Sequence, residues 1–164
     1  MTPTPLLGLR WAIKRSFLDY IAQAPGGRGS LTDGAVATGD KEIVFGPATP
    51  PGPVERGRLL TFRGIATFSA HHGALLVSIA NPWAIIRETE GEITIVDPFQ
   101  RQGTARLKLA SFDVREHLVA DGFEHWAATN VRLAREACEL FNNVYPASGP
   151  LEPLTIILPV TRDN

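Results

Sequence analysis

Apolar residues recur at two different spacings along this chain, and the spacings divide it into helical and extended parts. In the first part, near the N-terminus, they are Leu9, Ile13, Phe17 and Tyr20. Their separation by three or four positions predicts a helix over residues 5–23 with one apolar face, ended by the Pro25-Gly26-Gly27 sequence. Tyr20 is then expected on the inward face of the last helical turn, beside a glycine-rich loop.

From residue 28 to about residue 115 the pattern changes to that of strands and turns. The clearest alternation of apolar and polar positions, from Leu60 to Phe68, predicts one half-buried strand, which the His71-His72-Gly73 sequence then interrupts. Five further short strands are predicted: Ile43 to Phe45, Leu75 to Ile79, Trp83 to Arg87, Ile93 to Val96, and Thr104 to Ser111. The proline-rich stretch from Thr49 to Pro53 predicts a loop, since proline cannot donate to a β-ladder.

The C-terminal part predicts a second helix from about Ala134 to Asn143, ended by Pro146, and a last strand from Leu154 to Leu158. Many short strands with two helices indicate a β-rich (α+β) fold. We expect residues 1–164 to form one domain, an antiparallel β-sandwich or curled barrel with two flanking α-helices.

Composition narrows the function classes. Apolar residues make up 44% of the chain, enough for a sizeable core, and a net charge of −1 implies neither nucleic acid nor an anionic membrane as a partner. The single cysteine, Cys138, excludes an internal disulfide. No stretch approaches the ~20 apolar residues needed to cross a bilayer, and residues 1–8 do not have the pattern of a signal peptide. A cytoplasmic location is therefore expected; the alternative is an export signal removed before this numbering.

Three segments resemble the HtaA domain, the conserved region of actinobacterial haem-transport-associated proteins. The first runs from Trp11 to Ile21 and ends in a Ser-Phe and a Tyr, and the second runs from Phe68 to Pro82 and contains His71-His72-Gly73-Ala74-Leu75. The third runs from Ala137 to Thr155 and contains Tyr145-Pro146-Ala147. The three segments occur in the family's order and span nearly the whole chain.

The resemblance implies a protein that binds ferric haem b through a tyrosinate and serves in haem transport, buffering or transfer. By their positions in the motifs, Tyr20 matches the axial ligand to iron and His71 matches the histidine that supports it. The resemblance also marks Ser16, as a hydrogen-bond donor to a haem propionate, and Tyr145, whose role it leaves open. A phenolate is a hard anionic donor that suits ferric iron. Phe17, with Ile21, Leu75 and Val77, is a candidate for the apolar walls of the haem cleft; Arg10, Lys14 and Arg15 are candidates for the propionate charges.

The supporting histidine can be assigned in two ways. If the alternation of buried and exposed positions in the predicted strand continued beyond Phe68, His72 would point inward and His71 outward. The register of the family motif favours His71, and we prefer it because the strand is expected to end at Ala70. His72 therefore stays an alternative.

Two other functions remain open beside haem carriage. One is a haem-dependent, peroxidase-like enzyme, for which His72 is the candidate acid or base; the other is a β-barrel that binds a different apolar ligand. We expect a non-enzymatic haem protein, with a second haem-carrying protein as a candidate partner and a homodimer left open. Without the resemblance, Tyr20 on an apolar stripe would be interpreted as a core tyrosine.

Overall fold

The computed structural model describes residues 6–49, 57–100 and 105–160, and β-strands dominate them. The strands are β1 (Gly8–Trp11), β2 (Arg28–Thr32), β3 (Ala35–Ala37), β4 (Ile43–Pro47), β5 (Arg58–Arg63), β6 (Ile65–Ala70), β7 (Leu75–Ala80), β8 (Trp83–Arg87), β9 (Glu90–Val96), β10 (Arg106–Ala120), β11 (Phe123–Leu133) and β12 (Leu154–Pro159). One α-helix, α1 (Arg15–Gln23), follows β1, and 3₁₀ helices span His71–Gly73 and Arg135–Phe141.

Eight of these strands close into an antiparallel barrel in the order β1-β12-β11-β10-β9-β8-β5-β4. The ring closes because β1 pairs with β12 on one side and with β4 on the other. Strand β3 adds to β4, and β2, β6 and β7 form a separate three-stranded antiparallel sheet. The prediction of a β-rich, antiparallel curled barrel with two helices is therefore confirmed.

The predicted strand from Leu60 to Phe68 is divided in two at Gly64. Gly64 has a φ of +135°, and a Cβ there would lie 2.6 Å from the backbone nitrogen of Ala35, so only glycine fits. Its N–H donates to the side-chain oxygen of Asn81 at 3.0 Å. The chain therefore leaves the barrel after β5 and enters the small sheet as β6, although the alternation of apolar residues continues through the break.

The prediction of one helix over residues 5–23 is wrong in its first half. Residues Gly8–Trp11 form β1, and only Arg15–Gln23 are helical; residue 5, where the predicted helix begins, lies outside the described part of the chain. Leu9 and Trp11 are fully buried between two neighbouring strands. Strand pairing on both edges therefore overrides a spacing that also fits a helix.

The C-terminal part follows the prediction with two changes. The second predicted helix forms as a 3₁₀ helix, Arg135–Phe141, and ends where Asn142 adopts a left-handed conformation with a φ of 55°. The strand predicted to end at Ser111 continues as β10 to Ala120 and pairs with β11, which the sequence analysis did not predict. No helix in the described ranges is long and apolar enough to cross a membrane.

Candidate functional site

An open pocket of about 340 Å³ lies between α1, the start of β7 and the loop after the second 3₁₀ helix. Its lining comprises Phe17, Tyr20, His71, Ala74, Leu75, Phe141, Asn142, Val144 and Tyr145. Most of this surface is apolar, with a few polar groups converging on it, which is the usual composition of a small-molecule site. Five of the residues singled out from the sequence line it: Phe17, Tyr20, His71, Leu75 and Tyr145.

Tyr20 is on the exposed edge of α1 rather than on its inward face, which corrects the prediction. Phe17 and Ile21, four positions apart, are the residues of α1 that the core buries. Tyr20 is rotated by about 100° from Ile21 around the helix, and 45% of its surface is exposed. The phenol is therefore held at the mouth of the pocket, where a ligand from solvent can reach it.

The structure brings Tyr20 and His71 together. The phenolic oxygen of Tyr20 lies 2.5 Å from Nε2 of His71, and the two ring centroids are 5.9 Å apart. The backbone N–H of His71 donates to the carbonyl of Pro25 at 2.8 Å, in the loop that ends α1. The turn that carries the histidine is thereby joined to the helix that carries the tyrosine.

The strand β6 ends at Ala70, as the choice of His71 over His72 required. Both histidines then adopt left-handed backbone conformations, with φ values of 53° and 57°. His72 is exposed and lies beside Gly26, outside the pocket lining. The strand-alternation argument for an inward His72 is therefore wrong, because the extended backbone on which it depends stops before either histidine.

Aromatic rings build the floor of the pocket. Phe17 packs edge-to-face against Phe141 and Tyr145, with ring centroids 5.2 Å and 6.4 Å away, and against Phe68 at 5.6 Å. Burial raises the pKa of Tyr145, and a charge on Tyr20 would raise it further. Tyr145 therefore stays a neutral phenol to higher pH than a tyrosine in water.

The remaining predicted residues have different positions. Ser16 is exposed, one helical turn before Tyr20, and is outside the lining; Ile21 and Val77 are buried core residues. Lys14 lies near the pocket, with Nζ 4.9 Å from the centre of the Tyr145 ring. The guanidinium of Arg15 instead donates to the backbone carbonyl of Asp40.

Asn142 and Val144 also line the pocket, although the sequence did not predict them there. Val144 follows the end of the second 3₁₀ helix, and 69% of its surface is exposed. The left-handed conformations of Asn142 and Asn143 turn the chain here. The Asn-Asn pair before Pro146 was the available signal, since asparagine is the non-glycine residue that most readily ends a helix this way.

A second polar cluster lies outside this pocket. The carboxylate of Glu124 accepts hydrogen bonds from Arg58 and from Nε2 of His117, and the His117 ring stacks on Trp126 at 3.5 Å. Burial alone would raise the pKa of Glu124, but the hydrogen bonds from Arg58 and His117 outweigh it and lower the pKa. The cluster joins β5 to β10 and β11. Among the described residues, no three His, Cys, Asp or Glu side chains are grouped to hold a metal ion.

Comparison with known proteins gives one family and several similar folds. The HtaA family model (Htaa) matches residues 7–157. The N-terminal domain of HtaA from Corynebacterium glutamicum has a TM-score of 0.73 at 18% identity, covering 94% of this chain and 96% of that one. For the C-terminal domain of the same protein the TM-score is 0.71 at 20% identity, with 91% and 93% covered.

A third similar structure is the heme binding protein HtaB from the same organism, with a TM-score of 0.64 at 17% identity and coverage of 92% of this chain and 91% of that one. A variant of the HtaA C-terminal domain was solved as a domain-swapped dimer. At these identities the structures support the fold alone. No curated protein sequence matches significantly.

Proposed function

This chain belongs to the HtaA family, and from that premise we propose that it binds ferric haem at the pocket beside Tyr20 and carries, buffers or transfers it. The contact between the Tyr20 hydroxyl and Nε2 of His71 is the observation that carries the proposal. It places a hard oxygen donor beside an imidazole that can change the electron density of that oxygen, at the edge of an apolar pocket. The structurally similar HtaB is described as heme binding.

The residues present fit this ligand. A porphyrin needs apolar walls and an open side for its charged propionates. Phe17, Leu75 and Phe141 supply apolar walls; the pocket is open to solvent, and Tyr20 in its lining is partly exposed. The Lys14 ammonium contacts the ring of Tyr145, a lining residue, and is therefore the candidate partner for a propionate.

His71 has two roles in this proposal. A tyrosine must lose its phenolic proton before its oxygen can bind iron. Nε2 of His71, at hydrogen-bond distance, is the base that receives this proton. With haem bound, the imidazolium would donate to the phenolate, draw electron density from the oxygen and weaken its hold on iron. His71 would thus affect both the binding of haem and its release.

Haem supplies only the iron and the porphyrin surface in this scheme; the chain supplies the ligand, the base and the walls. His72 lies outside the pocket lining, so the geometry offers no support for it as the acid or base of a peroxidase-like enzyme. We accordingly propose carriage rather than catalysis. A second haem-carrying protein is the natural partner, and a homodimer is a further candidate, since one HtaA-domain variant was solved as a domain-swapped dimer. The cytoplasmic location remains a prediction of the sequence.

A haemin titration followed by absorbance tests the proposal. Wild type should show saturable binding with a tyrosinate-type ferric spectrum, and Tyr20→Phe should lose both. Tyr145→Phe is the matched control, because the chain has two tyrosines and Tyr145 is the other one. Binding that is unchanged in Tyr20→Phe would reject the ligand, and absence of saturable binding in wild type would reject the function.

A further inference from the structure

The start of α1 is held from the far end of the sequence by the short segment Pro150–Glu152. The indole N–H of Trp11 donates to the carbonyl of Glu152 at 2.8 Å, and the backbone N–H of Glu152 donates to the carbonyl of Ile13 at 2.8 Å. The ammonium of Lys14 donates to the carbonyl of Pro150 at 3.0 Å. These residues are 136 or more positions apart in the chain, so the contacts are purely tertiary.

Between these contacts lies a strained residue. Ile13 is completely buried and has a φ of 65°, a conformation that a β-branched residue rarely adopts. Such a backbone persists only where the surroundings enforce it. Two hydrogen bonds hold the backbone here: one from the Trp11 indole, two residues earlier, and one to the carbonyl of Ile13 itself. The unusual φ of Ile13 turns the chain from β1 into α1.

The Glu152 side chain adds a contact to the first residue of the helix. Its Oε1 accepts a hydrogen bond from the backbone N–H of Arg15, the first residue of α1, at 3.2 Å. Lys14, at the N-cap position, makes no capping hydrogen bond with its own side chain. Glu152 therefore satisfies one of the free N–H groups at the helix start, where a carboxylate is also favoured by the helix dipole.

The segment that makes these contacts is itself fixed to the barrel. The backbone N–H of Leu151 donates to the carbonyl of Val131 in β11 at 2.8 Å, and Pro150 forms a bridge with Arg132 of the same strand. Helix α1 has nine residues, a length at which a helix depends on tertiary anchors. The position of α1 relative to the barrel, and with it the position of Tyr20, therefore depends on the contacts made by Pro150–Glu152.

We propose that Glu152 is a positioning residue for Tyr20. It does not line the pocket; it acts through the first turn of α1, setting the direction in which the helix presents the phenol to His71. The inference rests on the proposed function for its effect on haem, but the effect on Tyr20 itself exists in the ligand-free protein.

The test compares Glu152→Ala with Glu152→Gln, whose amide oxygen can still accept from the Arg15 N–H. Glu90→Ala is the matched control: Glu90 is an exposed carboxylate at the start of β9. Fluorotyrosine labelling gives two ¹⁹F signals, since the chain has two tyrosines, and Tyr145→Phe assigns that of Tyr20. The second readout is haemin affinity, with the unfolding midpoint measured alongside.

We expect Glu152→Ala to shift the Tyr20 signal in the ligand-free protein and to weaken haemin affinity roughly three- to ten-fold. This is about the factor in an equilibrium constant that corresponds to the free energy of one helix cap. Glu152→Gln should stay close to wild type in both readouts, and so should Glu90→Ala. A Tyr20 signal that does not move in Glu152→Ala overturns the inference, as does an unchanged haemin affinity in a protein that binds haemin. If wild type does not bind haemin, the proposed function fails while the Tyr20 signal still decides the role of Glu152.

Discussion

The phenolic oxygen of Tyr20 and Nε2 of His71 are 2.5 Å apart, although 51 residues separate them in the sequence. Each belongs to a different element: Tyr20 to the last turns of α1, and His71 to the turn between β6 and β7. Both backbones contact the loop at Pro25, since Ala24 donates to the carbonyl of Tyr20 and His71 donates to that of Pro25. This loop fixes the distance between the two side chains, and a ligand at Tyr20 would therefore be sensitive to His71.

The two adjacent histidines provide the sharpest test of the site. His71→Ala removes the base that receives the Tyr20 proton and the hydrogen bond that orients the phenolate. These losses should outweigh the stronger oxygen–iron bond of an undonated phenolate and lower haemin affinity about 10- to 100-fold, the usual cost of losing a group that orients a metal ligand. His72→Ala should bind haemin as wild type does, since His72 lies outside the pocket lining. Parallel absorbance titrations measure both. The opposite order of effects would reverse the assignment.

Reduction should favour release of the ligand. A hard phenolate oxygen stabilises ferric over ferrous iron, so affinity for ferrous haem should be lower by at least about ten-fold, or ~1.4 kcal/mol. Transfer of haem to an excess of apomyoglobin, followed by absorbance before and after anaerobic reduction, measures the difference. Equal transfer rates in the two oxidation states would contradict tyrosinate ligation.

Tyr145 should contribute to a loss of stability at high pH. Its pKa is raised in the folded protein by burial and then by the Tyr20 charge, so the folded state holds the phenolic proton more tightly than the unfolded state. The stabilisation is fully present below the unfolded pKa of about 10 and is lost as pH rises through the folded pKa. Urea unfolding between about pH 8 and pH 11 should therefore show a shallower decline in stability for Tyr145→Phe than for wild type. Parallel pH profiles for the two proteins would show that Tyr145 makes no such contribution.

Glu124 should stabilise the barrel at neutral pH and lose this effect in acid. Glu124→Gln removes the charge that Arg58 and His117 contact, and we expect a cost of roughly 1–3 kcal/mol at neutral pH. The pKa of Glu124 is lowered in the folded state, so its contribution is present above the unfolded value and lost as pH falls through the folded value.

Urea unfolding at neutral and acidic pH measures this difference. The gap between Glu124→Gln and wild type should narrow in acid, whereas Glu116→Gln, at an exposed position in β10, should leave stability unchanged at both pH values. Haemin binding should survive in Glu124→Gln, because the cluster shares no residue with the pocket lining. A gap that widens in acid would show that the ion pairs do not lower the pKa of Glu124.

The sequence by itself determined the class of fold, the family motifs and the choice of Tyr20 and His71. The fold class follows from local information, namely alternation that fits a pleated strand and residues that end helices. Tyr20 and His71 were chosen because their positions match the family's motifs. The turn after Ala70 belongs here too, because glycine follows the two histidines and the expected end of β6 agrees with the structure.

Only the tertiary structure decided the rest. Residues Gly8–Trp11 have a spacing compatible with a helix, but pairing with β12 and β4 makes them the strand that closes the barrel. Tyr20 is exposed rather than inward because the barrel and the small sheet bury Phe17 and Ile21 instead. Glu152 caps α1 from 137 residues away. These features depend on contacts between distant segments, whose free energies outweigh local preferences of a few tenths of a kcal/mol to about 1 kcal/mol per residue.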